Sequence, residues 1–347
     1  MTLDSNFKSG ATLGIVTKDR PDVLRALLES VMPATRHTLA EVIVYDNSVC
    51  TYKTRDLVRE FPNILYLCGP KRQPGGRNQI LRHVRTQVIC FIDDDCVIPS
   101  PRRYFARVVE DFALGKDAKT AAVGGPVIPS SRLGLSQATH SGVGFNRVLG
   151  TRKTVHEQNH SACWIPEGIC DVDFVQGGNM SFATVTLIKE GGFDETYGRG
   201  GSWGEETDPQ LRLRESGYRI LYDPELLVNH LDLPSGGSNP RSRLDQIYKK
   251  IAMGRNDVYL MRKHRFLNFN YLSRDWRFRL LSLLDLRSGR VNQNQEDGTL
   301  VRLGSGVLSF FFWLGVAAVA FGNVLELLFP SSPKYLTNAG SIHEGKC

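Results

Sequence analysis

The seven cysteines of this 347-residue chain include no pair at Cys-x-x-Cys spacing, and their number is odd. This pattern argues against a disulfide framework and against a zinc site built from cysteine pairs. The simplest interpretation is a protein of a reducing, cytosolic compartment. The first residues also lack the apolar core of a signal peptide, which agrees with that expectation.

Dense runs of lysine and arginine are missing as well, although the formal net charge is +7 and the pI about 9.0. Apart from small groups such as Lys71-Arg72 and 262–265, the basic residues are scattered, which argues against nucleic acid as a partner. The positive balance favours nucleotides and phospholipid headgroups instead. No internal repeat or low-complexity tract occurs. The length therefore predicts one large α/β domain with an appendage, or two domains.

A short apolar run at 88–92 ends in three consecutive carboxylates, Asp93, Asp94 and Asp95. A run of this length that contains Val and Ile predicts a buried strand. Adjacent carboxylates repel one another unless a positive group lies between them, and a divalent cation is one natural candidate. A basic partner residue, a solvated loop and an acidic cluster at a helix N-terminus are the alternatives.

Strands and helices alternate through the first third of the sequence. Strands are predicted at 12–17, 41–45, 64–67, 88–92 and 121–125, with helical segments between them. This order predicts a parallel sheet with helices on both faces. Ligands of such sheets bind beyond the carboxyl ends of the strands, so Thr17, Asp46 and the three acids should meet at one edge.

A Pro-Gly-Gly sequence at 74–76 is predicted to open a helix that begins near Arg77 and Asn78. The N-terminus of that helix, which favours anions, would point back to the same edge of the sheet. Capping of the helix by the Asn78 side chain is the alternative.

The second half of the chain has weaker periodicity. Between 130 and 170, Ser, Gly, His and Asn dominate, and we predict long loops of the kind that often carry substrate specificity. Residues 243–265 are predicted to form a basic helix. No charged residue occurs between 305 and 325, a run long enough to span a bilayer. A single span, a monotopic helix or hairpin, and a helix buried in the protein are the three interpretations of this run.

Seven short motifs occur in the order typical of one enzyme family. They are Thr-x-x-Arg-Pro at 17–21, Asp-Asn-Ser at 46–48, Gly-Gly-Arg-Asn at 75–78, Asp-x-Asp at 93–95, Gly-Gly-Asn-Met-Ser-Phe at 177–182, Gly-Gly-Phe-Asp-Glu at 191–195 and Gly-Glu-Glu-Thr-Asp at 204–208. On these motifs the chain resembles an inverting family-2 glycosyltransferase with the GT-A fold, over roughly 11–230. Each motif alone has little specificity, but the seven in order form a specific signal.

The resemblance implies a fold class and, with the composition of the C-terminal part, a domain division. The fold is α/β of the GT-A type, with a Rossmann-like nucleotide-binding half, a mostly parallel central sheet and helices on both faces, plus a C-terminal helical, apolar segment. The expected parts are a catalytic domain at 1–240 (donor half 11–125, acceptor half 126–240), a basic helical extension at 241–304, an apolar membrane-associated segment at 305–329 and a tail at 330–347.

The resemblance also assigns roles to residues at the predicted nucleotide pocket. Asp46 would hydrogen-bond the base of the donor, with an Asx turn that closes the strand as the alternative. Thr17 and Arg20 would line the base and the diphosphate, with ordinary loop contacts as the alternative. Arg77 and Asn78 would contact the anionic donor through their side chains and through the helix N-terminus.

The three acids at 93–95 have separate roles by resemblance. Asp93 would contact the ribose or the donor sugar and share the metal site, and Asp95 would coordinate Mn²⁺ or Mg²⁺. The metal would stabilise the negative charge on the departing nucleoside diphosphate. Asp94 would contact the ribose or turn outward. His230 would complete the metal site or contact the diphosphate, although a lone histidine is more often structural.

An inverting transfer needs a base that takes the proton of the acceptor hydroxyl. Glu205 and Glu206 resemble the family's acidic pair, whose second member is the base. Many relatives carry Asp at the position of Glu206, so Glu205 and Asp208 stay candidates; acids that favour a helix N-terminus are the alternative. Gly178 and Asn179 would let the backbone approach the donor sugar and diphosphate closely.

The expected activity is metal-dependent transfer of a sugar, with inversion, from a UDP or dTDP sugar to a glycan or lipid-linked acceptor. One alternative is a sugar nucleotidyltransferase, which the absence of a Gly-rich phosphate loop at 13–17 disfavours. The other is a catalytically inactive, membrane-associated binding protein. Arginines precede the apolar run at 287, 290 and 302, so we expect a cytoplasmic catalytic domain attached to the inner face of the membrane.

Overall fold

The computed structural model divides into two compact units. The first comprises 1–198, 204–239 and 332–347, and the second comprises 199–203 and 240–331. The residues whose structure is described are 7–35, 38–113, 119–129, 168–198, 204–231, 233, 243–264, 317, 320–321 and 323–336. Most of the loops predicted at 130–170 lie outside these residues.

The elements follow the alternation that the sequence predicts. Among the described residues the strands are β1 (Lys8–Thr17), β2 (Leu39–Asp46), β3 (Ile64–Cys68), β4 (Thr86–Ile92), β5 (Cys96–Val97), β6 (Thr120–Gly124), β7 (Val127–Pro129), β8 (Cys170–Asp171), β9 (Asn179–Ala183), β10 (Arg219–Tyr222) and β11 (Val228–His230). The helices are α1 (Pro21–Val31), α2 (Tyr52–Arg59), α3 (Gln73–Leu81), α4 (Pro101–Ala113), α5 (Thr184–Lys189), α6 (Thr207–Glu215) and α7 (Arg243–Lys263).

The first unit is built on an eight-stranded sheet of order β3-β2-β1-β4-β9-β6-β10-β8. Strands β1 to β4 pair in parallel, as does β10 with β6, whereas β9 and β8 run antiparallel to their neighbours. The sheet is therefore mixed, with the mostly parallel character that was predicted. The antiparallel insertion of β9 was not predicted, because strand direction depends on the path of the connecting chain. A second sheet of order β5-β11-β7 lies at the carboxyl end of β4.

Helices cover both faces of the large sheet, and the alternation along β4 shows why. Val88 and Cys90 belong to one buried cluster, together with the apolar residues of α1 and α4. Ile89 and Phe91 belong to a second cluster on the opposite face, which includes Ile80 of α3. Successive side chains of a strand point to opposite faces, so a continuous apolar run is buried on both sides.

Helix α3 begins earlier than the sequence predicted. Its first residue is Gln73, and Pro74 lies in its first turn, where the missing N–H removes no helical hydrogen bond. Gly76 lies within the helix. A side chain is excluded at this position because a Cβ there would stand 2.7 Å from Cδ1 of Tyr45. The expectation that Arg77 stands at the helix start is therefore wrong: close packing, and not a turn, requires the glycine.

The segment 332–336 belongs to the first unit and is hydrogen-bonded to the loop at 191–196. The amide of Glu195 donates to the carbonyl of Lys334 at 2.9 Å, and the amide of Leu336 donates to the carbonyl of Gly191 at 2.9 Å. The Lys334 amide also donates to Oδ1 of Asp194 at 2.8 Å. Part of the tail expected at 330–347 thus contributes a structured strap to the first unit. Elsewhere in this unit, Cys68 is disulfide-bonded, which the cysteine spacing did not predict.

The second unit contains α7, which lies within the segment predicted to be basic and helical. Residues 320–321 and 323–328 are also helical. Most of the apolar run at 305–325 lies outside the described residues. In the part of the chain that the structure describes, no helix is both long and apolar enough to cross a bilayer.

Candidate active site

The carboxyl ends of the parallel strands bring the first predicted residues together. Thr17 pairs with Asp46 across β1 and β2, and Asp46 pairs with Cys68 across β2 and β3. The Thr17 hydroxyl donates to Oδ2 of Asp94 at 2.7 Å, which joins the end of β1 to the residues after β4. The predicted convergence at one sheet edge is confirmed by these contacts.

Asp94 is the innermost of the three acids. Its side chain is 2% exposed, and the Arg20 guanidinium binds both of its oxygens. Burial raises the pKa of Asp94 to about 7, although the charge of Arg20 and the hydrogen bond from Thr17 act in the opposite direction. The suggestion that Asp94 turns outward is wrong. This carboxyl group anchors the loop after β1 to the end of β4.

Asp95 lies between a cation and an imidazole. Nη1 of Arg20 donates to its Oδ2 at 2.8 Å, and Nε2 of His230 lies 3.5 Å from its Oδ1. The small sheet explains this approach, because His230 of β11 pairs with Cys96 of β5, directly after Asp95. The Leu231 amide also donates to the Asp95 carbonyl at 2.8 Å. Two sequence-predicted residues, 135 positions apart by their numbers, are therefore neighbours.

The chemistry of this pair fits a divalent cation such as Mn²⁺. A carboxylate and an imidazole are suitable donors, and the side chains of Asp95 and His230 are 12% and 31% exposed. Among the described residues, no group of three or more His, Cys, Asp or Glu side chains is arranged to hold a metal ion.

Asp93 faces the opposite side of the same loop. Its Oδ1 accepts a hydrogen bond from Nε2 of Gln73 at 3.2 Å and lies 3.5 Å from Nη2 of Arg77. A Cβ on Gly178 would stand 3.3 Å from Oδ2 of Asp93, so the missing side chain leaves room beside this carboxylate. The Asp93 side chain is 33% exposed, more than that of Asp95.

Arg77 is a buried cation with its own carboxylate. Its Nη1 donates to both oxygens of Glu205, and the two side chains are only 2% and 3% exposed. The rings of Phe91 and Phe193 lie 5.7 and 5.4 Å from its guanidinium carbon. Burial lowers the pKa of Arg77, but the carboxylates of Glu205 and Asp93 outweigh it and leave the pKa raised. Arg77 thus joins the Asp-x-Asp loop to the acidic pair.

Of the acids expected to serve as base, Glu206 has the most suitable surroundings. It is partly exposed, and within the described part of the chain it has no ion-pair partner. Burial raises the pKa of Glu206, and the charge of Asp93 adds to this effect. Its side chain lies beside Gly177, where a Cβ would approach Glu206 Cγ to 3.2 Å. A carboxylate with a raised pKa is a better proton acceptor.

The other two candidate bases have structural partners. Glu205 is paired with Arg77, and burial raises the pKa of its carboxyl group to about 8. Asp208 is fully buried in α6 and accepts a hydrogen bond from Nε of Arg212 at 3.1 Å. These contacts favour Glu206 over both neighbours.

The two asparagines have roles that the sequence did not predict. Asn78 neither caps α3 nor lies at its start. Its amide donates to the Phe193 carbonyl at 2.8 Å and accepts from the Phe193 amide at 2.9 Å. Asn179 accepts from the Tyr104 hydroxyl at 2.5 Å and donates to the Leu226 carbonyl at 2.6 Å. Both side chains are fully buried and connect backbone segments.

Asp46 is also engaged within the protein. Its Oδ1 accepts from the Ser48 amide at 2.8 Å and from the Ser48 hydroxyl, and its Oδ2 accepts from the Tyr66 hydroxyl at 2.8 Å. This is the Asx turn left open as the alternative at this position. The turn holds the chain after β2 at the carboxyl edge.

Sequence reasoning missed three contributors to the site. Gln73 contacts Asp93, but no signal in the sequence distinguished it. Phe193 and Glu195 lie in a motif that was recognised without any role for them. Phe193 covers Arg77, and Glu195 accepts from Nζ of Lys71 at 3.0 Å. Their position in a motif was the available signal.

Comparisons with known proteins give a family match over part of the chain and a shared fold. Residues 12–147 match the family model described as "Glycosyl transferase family 2". No curated protein matches the chain.

The solved structures that are similar to the chain include the following two. One is the mannosyltransferase PcManGT from Pyrobaculum calidifontis in complex with GDP-Man and Mn²⁺, with 16% identity and a TM-score of 0.52 over 92% of this chain and 88% of that chain. The other is GalNAc-T7 with UDP, GalNAc and Mn²⁺, with 14% identity and a TM-score of 0.50 over 80% of this chain and 58% of that chain. At these identities the likeness shows the fold alone, which fits the predicted GT-A type.

Proposed function

We propose that this chain, a glycosyltransferase by its family match, moves a sugar from a nucleotide-diphosphate donor to an acceptor hydroxyl with inversion and with the help of a divalent metal. One observation carries the proposal. Arg77 contacts both Asp93 and Glu205, and the half-buried Glu206, which follows Glu205 in the chain, is near enough for the charges of Arg77 and Asp93 to act on its pKa. A donor-binding group and a proton acceptor are thereby held in one unit.

The donor would lie along the carboxyl edge of the sheet. Asp93 would contact the ribose or the donor sugar, with space beside it at Gly178. Thr17 and Arg20 would line the diphosphate side, where they already hold Asp94. We propose a UDP or dTDP sugar as donor. The two similar structures contain GDP-Man and UDP, so a guanine nucleotide belongs in any test.

Glu206 would take the proton from the acceptor hydroxyl as the oxygen attacks the anomeric carbon. The bond from that carbon to the diphosphate breaks, and the nucleoside diphosphate leaves with the bonding electrons. Attack from the side opposite the leaving group inverts the anomeric centre. Glu205 would not compete for the proton, because its oxygens accept from Arg77.

Asp95 and His230 would hold the metal, with Asp93 on the other side of the loop. Both similar structures contain Mn²⁺, which supports this choice over other cations. When bound, the metal would neutralise negative charge that develops on the diphosphate. Arg20, which contacts Asp95, would bring a further positive charge to the same region.

The acceptor we propose is a growing polysaccharide or a lipid-linked glycan. The support is the sequence: 305–325 has no charged residue, and arginines precede it. This arrangement favours a catalytic unit in the cytoplasm, attached to the inner face of the membrane. Such a location would bring the site close to acceptors carried by lipids.

Nucleotide binding provides the direct test. Calorimetric titrations with UDP, dTDP and GDP, in Mn²⁺ and in EDTA, should show tighter binding with the metal for one of them. Asp95→Asn should remove most of the difference between Mn²⁺ and EDTA, whereas Asp56→Asn, at an exposed position on α2, should keep it.

Other results would contradict parts of this proposal. If neither EDTA nor Asp95→Asn changed the affinity for the nucleotide, the metal-binding role proposed for Asp95 would be wrong. Nucleotide binding without transfer to any acceptor, in a screen of lipid-linked and soluble glycans, would favour the inactive binding protein. Product analysis by NMR would show directly whether the anomeric centre inverts.

A further inference from the structure

In the helical residues at 320–321 and 323–328, large apolar side chains are exposed and polar side chains are buried. Four exposed apolar side chains lie in the helix and the fifth directly follows it: Phe321 (54%), Val324 (48%), Leu327 (51%), Leu328 (66%) and, after the helix, Phe329 (68%). We call these five residues the apolar face. A helix of a water-soluble surface has the opposite arrangement, with its apolar residues turned inward.

The polar residues of the same helix are on its inner side. Asn323 is 8% exposed and Glu326 is fully buried. Oε1 of Glu326 lies 3.0 Å from Nη1 of Arg262, and its Oε2 lies 3.5 Å from Nη2 of Arg255. The amide and hydroxyl of Ser331 donate to Glu326 at 2.8 and 2.7 Å.

This network determines which side of the helix faces outward. A buried carboxylate is tolerated when cations and hydrogen-bond donors surround it, and Glu326 has two arginines and one serine. Rotating the helix to bury the apolar face would break all of these contacts. The exposure of Phe321 and Leu328 is therefore a consequence of the structure of the second unit, and something other than water should cover them.

Two features favour a lipid bilayer as the cover. The apolar face continues directly from a sequence run, 305–325, that contains no charged residue. That run is as long as the hydrocarbon core of a bilayer requires. The partly exposed Arg255 and Arg262 lie immediately behind the face, where anionic headgroups would meet positive charge.

We propose that the apolar face inserts into the interface of a bilayer that contains anionic lipids, with the Glu326 network as the internal brace that keeps the face outward. This deepens the membrane attachment proposed above by naming the residues in contact with lipid. Interfacial binding of this kind combines buried apolar area with electrostatic attraction.

Vesicle flotation of the full chain tests the proposal. Wild-type protein should float with vesicles of phosphatidylcholine and phosphatidylglycerol at 4:1, and less with phosphatidylcholine alone. The double variant Leu327→Ser/Leu328→Ser should lower the partition coefficient by about tenfold or more, because it removes two apolar side chains from the contact. Neither donor nor metal is present, so failure of this test leaves the transfer reaction standing.

A matched control uses exposed apolar residues of the first unit. Val49→Ser/Leu65→Ser changes side chains that are 89% and 41% exposed and should leave flotation unchanged. Circular dichroism and urea midpoints should be the same for both double variants. Equal flotation of wild type and Leu327→Ser/Leu328→Ser would overturn the assignment. A concentration-dependent dimer that forms without lipid and is lost in this variant would also overturn the assignment, because a second copy of the chain would then cover the apolar face.

Discussion

Arg77 donates from one nitrogen to both carboxylate oxygens of Glu205, a residue 128 positions later in the chain. The pair is almost fully buried, and Phe91 and Phe193 flank the guanidinium group. Asp93 lies 3.5 Å away on the other side of Arg77. A single cation therefore connects the Asp-x-Asp loop to the segment that carries Glu206.

Breaking this pair should destabilise the protein strongly. Arg77→Met leaves the Glu205 carboxylate buried without its cation, and we expect the free energy of unfolding to fall by about 3–5 kcal/mol. Urea unfolding measures the loss. The double variant Arg77→Met/Glu205→Gln should be less destabilised than the sum of the single changes, because neither charge is then left alone.

A surface pair provides the comparison for that cycle. Arg25 and Glu60 form an ion pair with side chains 40% and 53% exposed. The same substitutions there should give a coupling energy below about 1 kcal/mol. If the cycles at Arg77–Glu205 and Arg25–Glu60 gave equal coupling, the buried pair would not have the organising role described here.

Glu206→Gln should stop transfer while donor binding survives. The amide cannot accept the proton of the acceptor, so we expect the rate of transfer to fall by about 10²–10⁴-fold with the Kd for the nucleotide unchanged. The control Glu215→Gln changes an exposed acid at the end of α6. Asp208→Asn should act differently, because its ion pair with Arg212 is structural: stability should fall. Transfer that survives in Glu206→Gln would exclude this residue as the base.

Two glycines separate the cost of backbone strain from the cost of packing. Gly192 has φ of +63°, and a Cβ there would stand 2.7 Å from Oδ1 of Asn78; Gly217 has φ of +81° and nothing within 4 Å. Gly217→Ala should cost about 1–2 kcal/mol from the backbone alone. Gly192→Ala should cost a further 1–3 kcal/mol or so, because it displaces the Asn78 contact with Phe193. Thermal or urea unfolding compares the two; equal losses would mean that the Asn78 contact adjusts freely.

Asp111 should make stability depend on pH. It is fully buried in α4, and none of the described donors makes a well-formed hydrogen bond to its oxygens. Burial and the neighbouring Asp223 carboxylate, to which a protonated Asp111 would donate, together raise the pKa of Asp111 to about 8. The charge of Arg107 opposes this increase without cancelling it.

The sign of this dependence follows from the direction of the shift. The folded protein keeps a proton that the unfolded chain loses near pH 4, so the stabilisation is complete below about pH 4 and is lost as the pH rises through about 8. Between pH 5 and 8 the free energy of unfolding should fall by at least about 1 kcal/mol more in wild type than in Asp111→Asn. The exposed Asp22→Asn on α1 should keep the wild-type slope in urea titrations. Parallel slopes for Asp111→Asn and wild type would contradict the prediction.

Local sequence patterns predicted the strands and helices well, because each of these elements depends mainly on residues that are close in the sequence. The apolar run of β4 indicated a strand buried on both faces, and residues of both core clusters line it. The start of α3 was misplaced because Gly76 was interpreted as a turn, whereas its missing side chain makes room for Tyr45. That requirement comes from β2, which the local sequence of α3 does not describe.

Predictions at the site divided in a similar way. Thr17, Asp94, Asp95 and His230 were expected at one edge, and their contacts place them there. The side-chain contacts of Asn78 and Asn179 were not predicted, since an asparagine that links two backbone segments has the same sequence signature as one that faces a ligand, and their donor-binding roles stay predictions. Only their partners, Phe193 and Leu226, distinguish the two cases.

The sequence by itself determined the order of strands and helices, the edge at which the acids collect and the class of enzyme that the motifs resemble. These depend on periodicity and on short motifs, which are properties of neighbouring residues. Only the tertiary structure decided which acid has an ion-pair partner. Arg77 pairs with Glu205 and Arg20 pairs with Asp94, whereas Glu206 is partly exposed. Ion pairing depends on the distance between the two groups and on their burial. Two residues that are 128 positions apart become close to each other and buried only when the chain has folded.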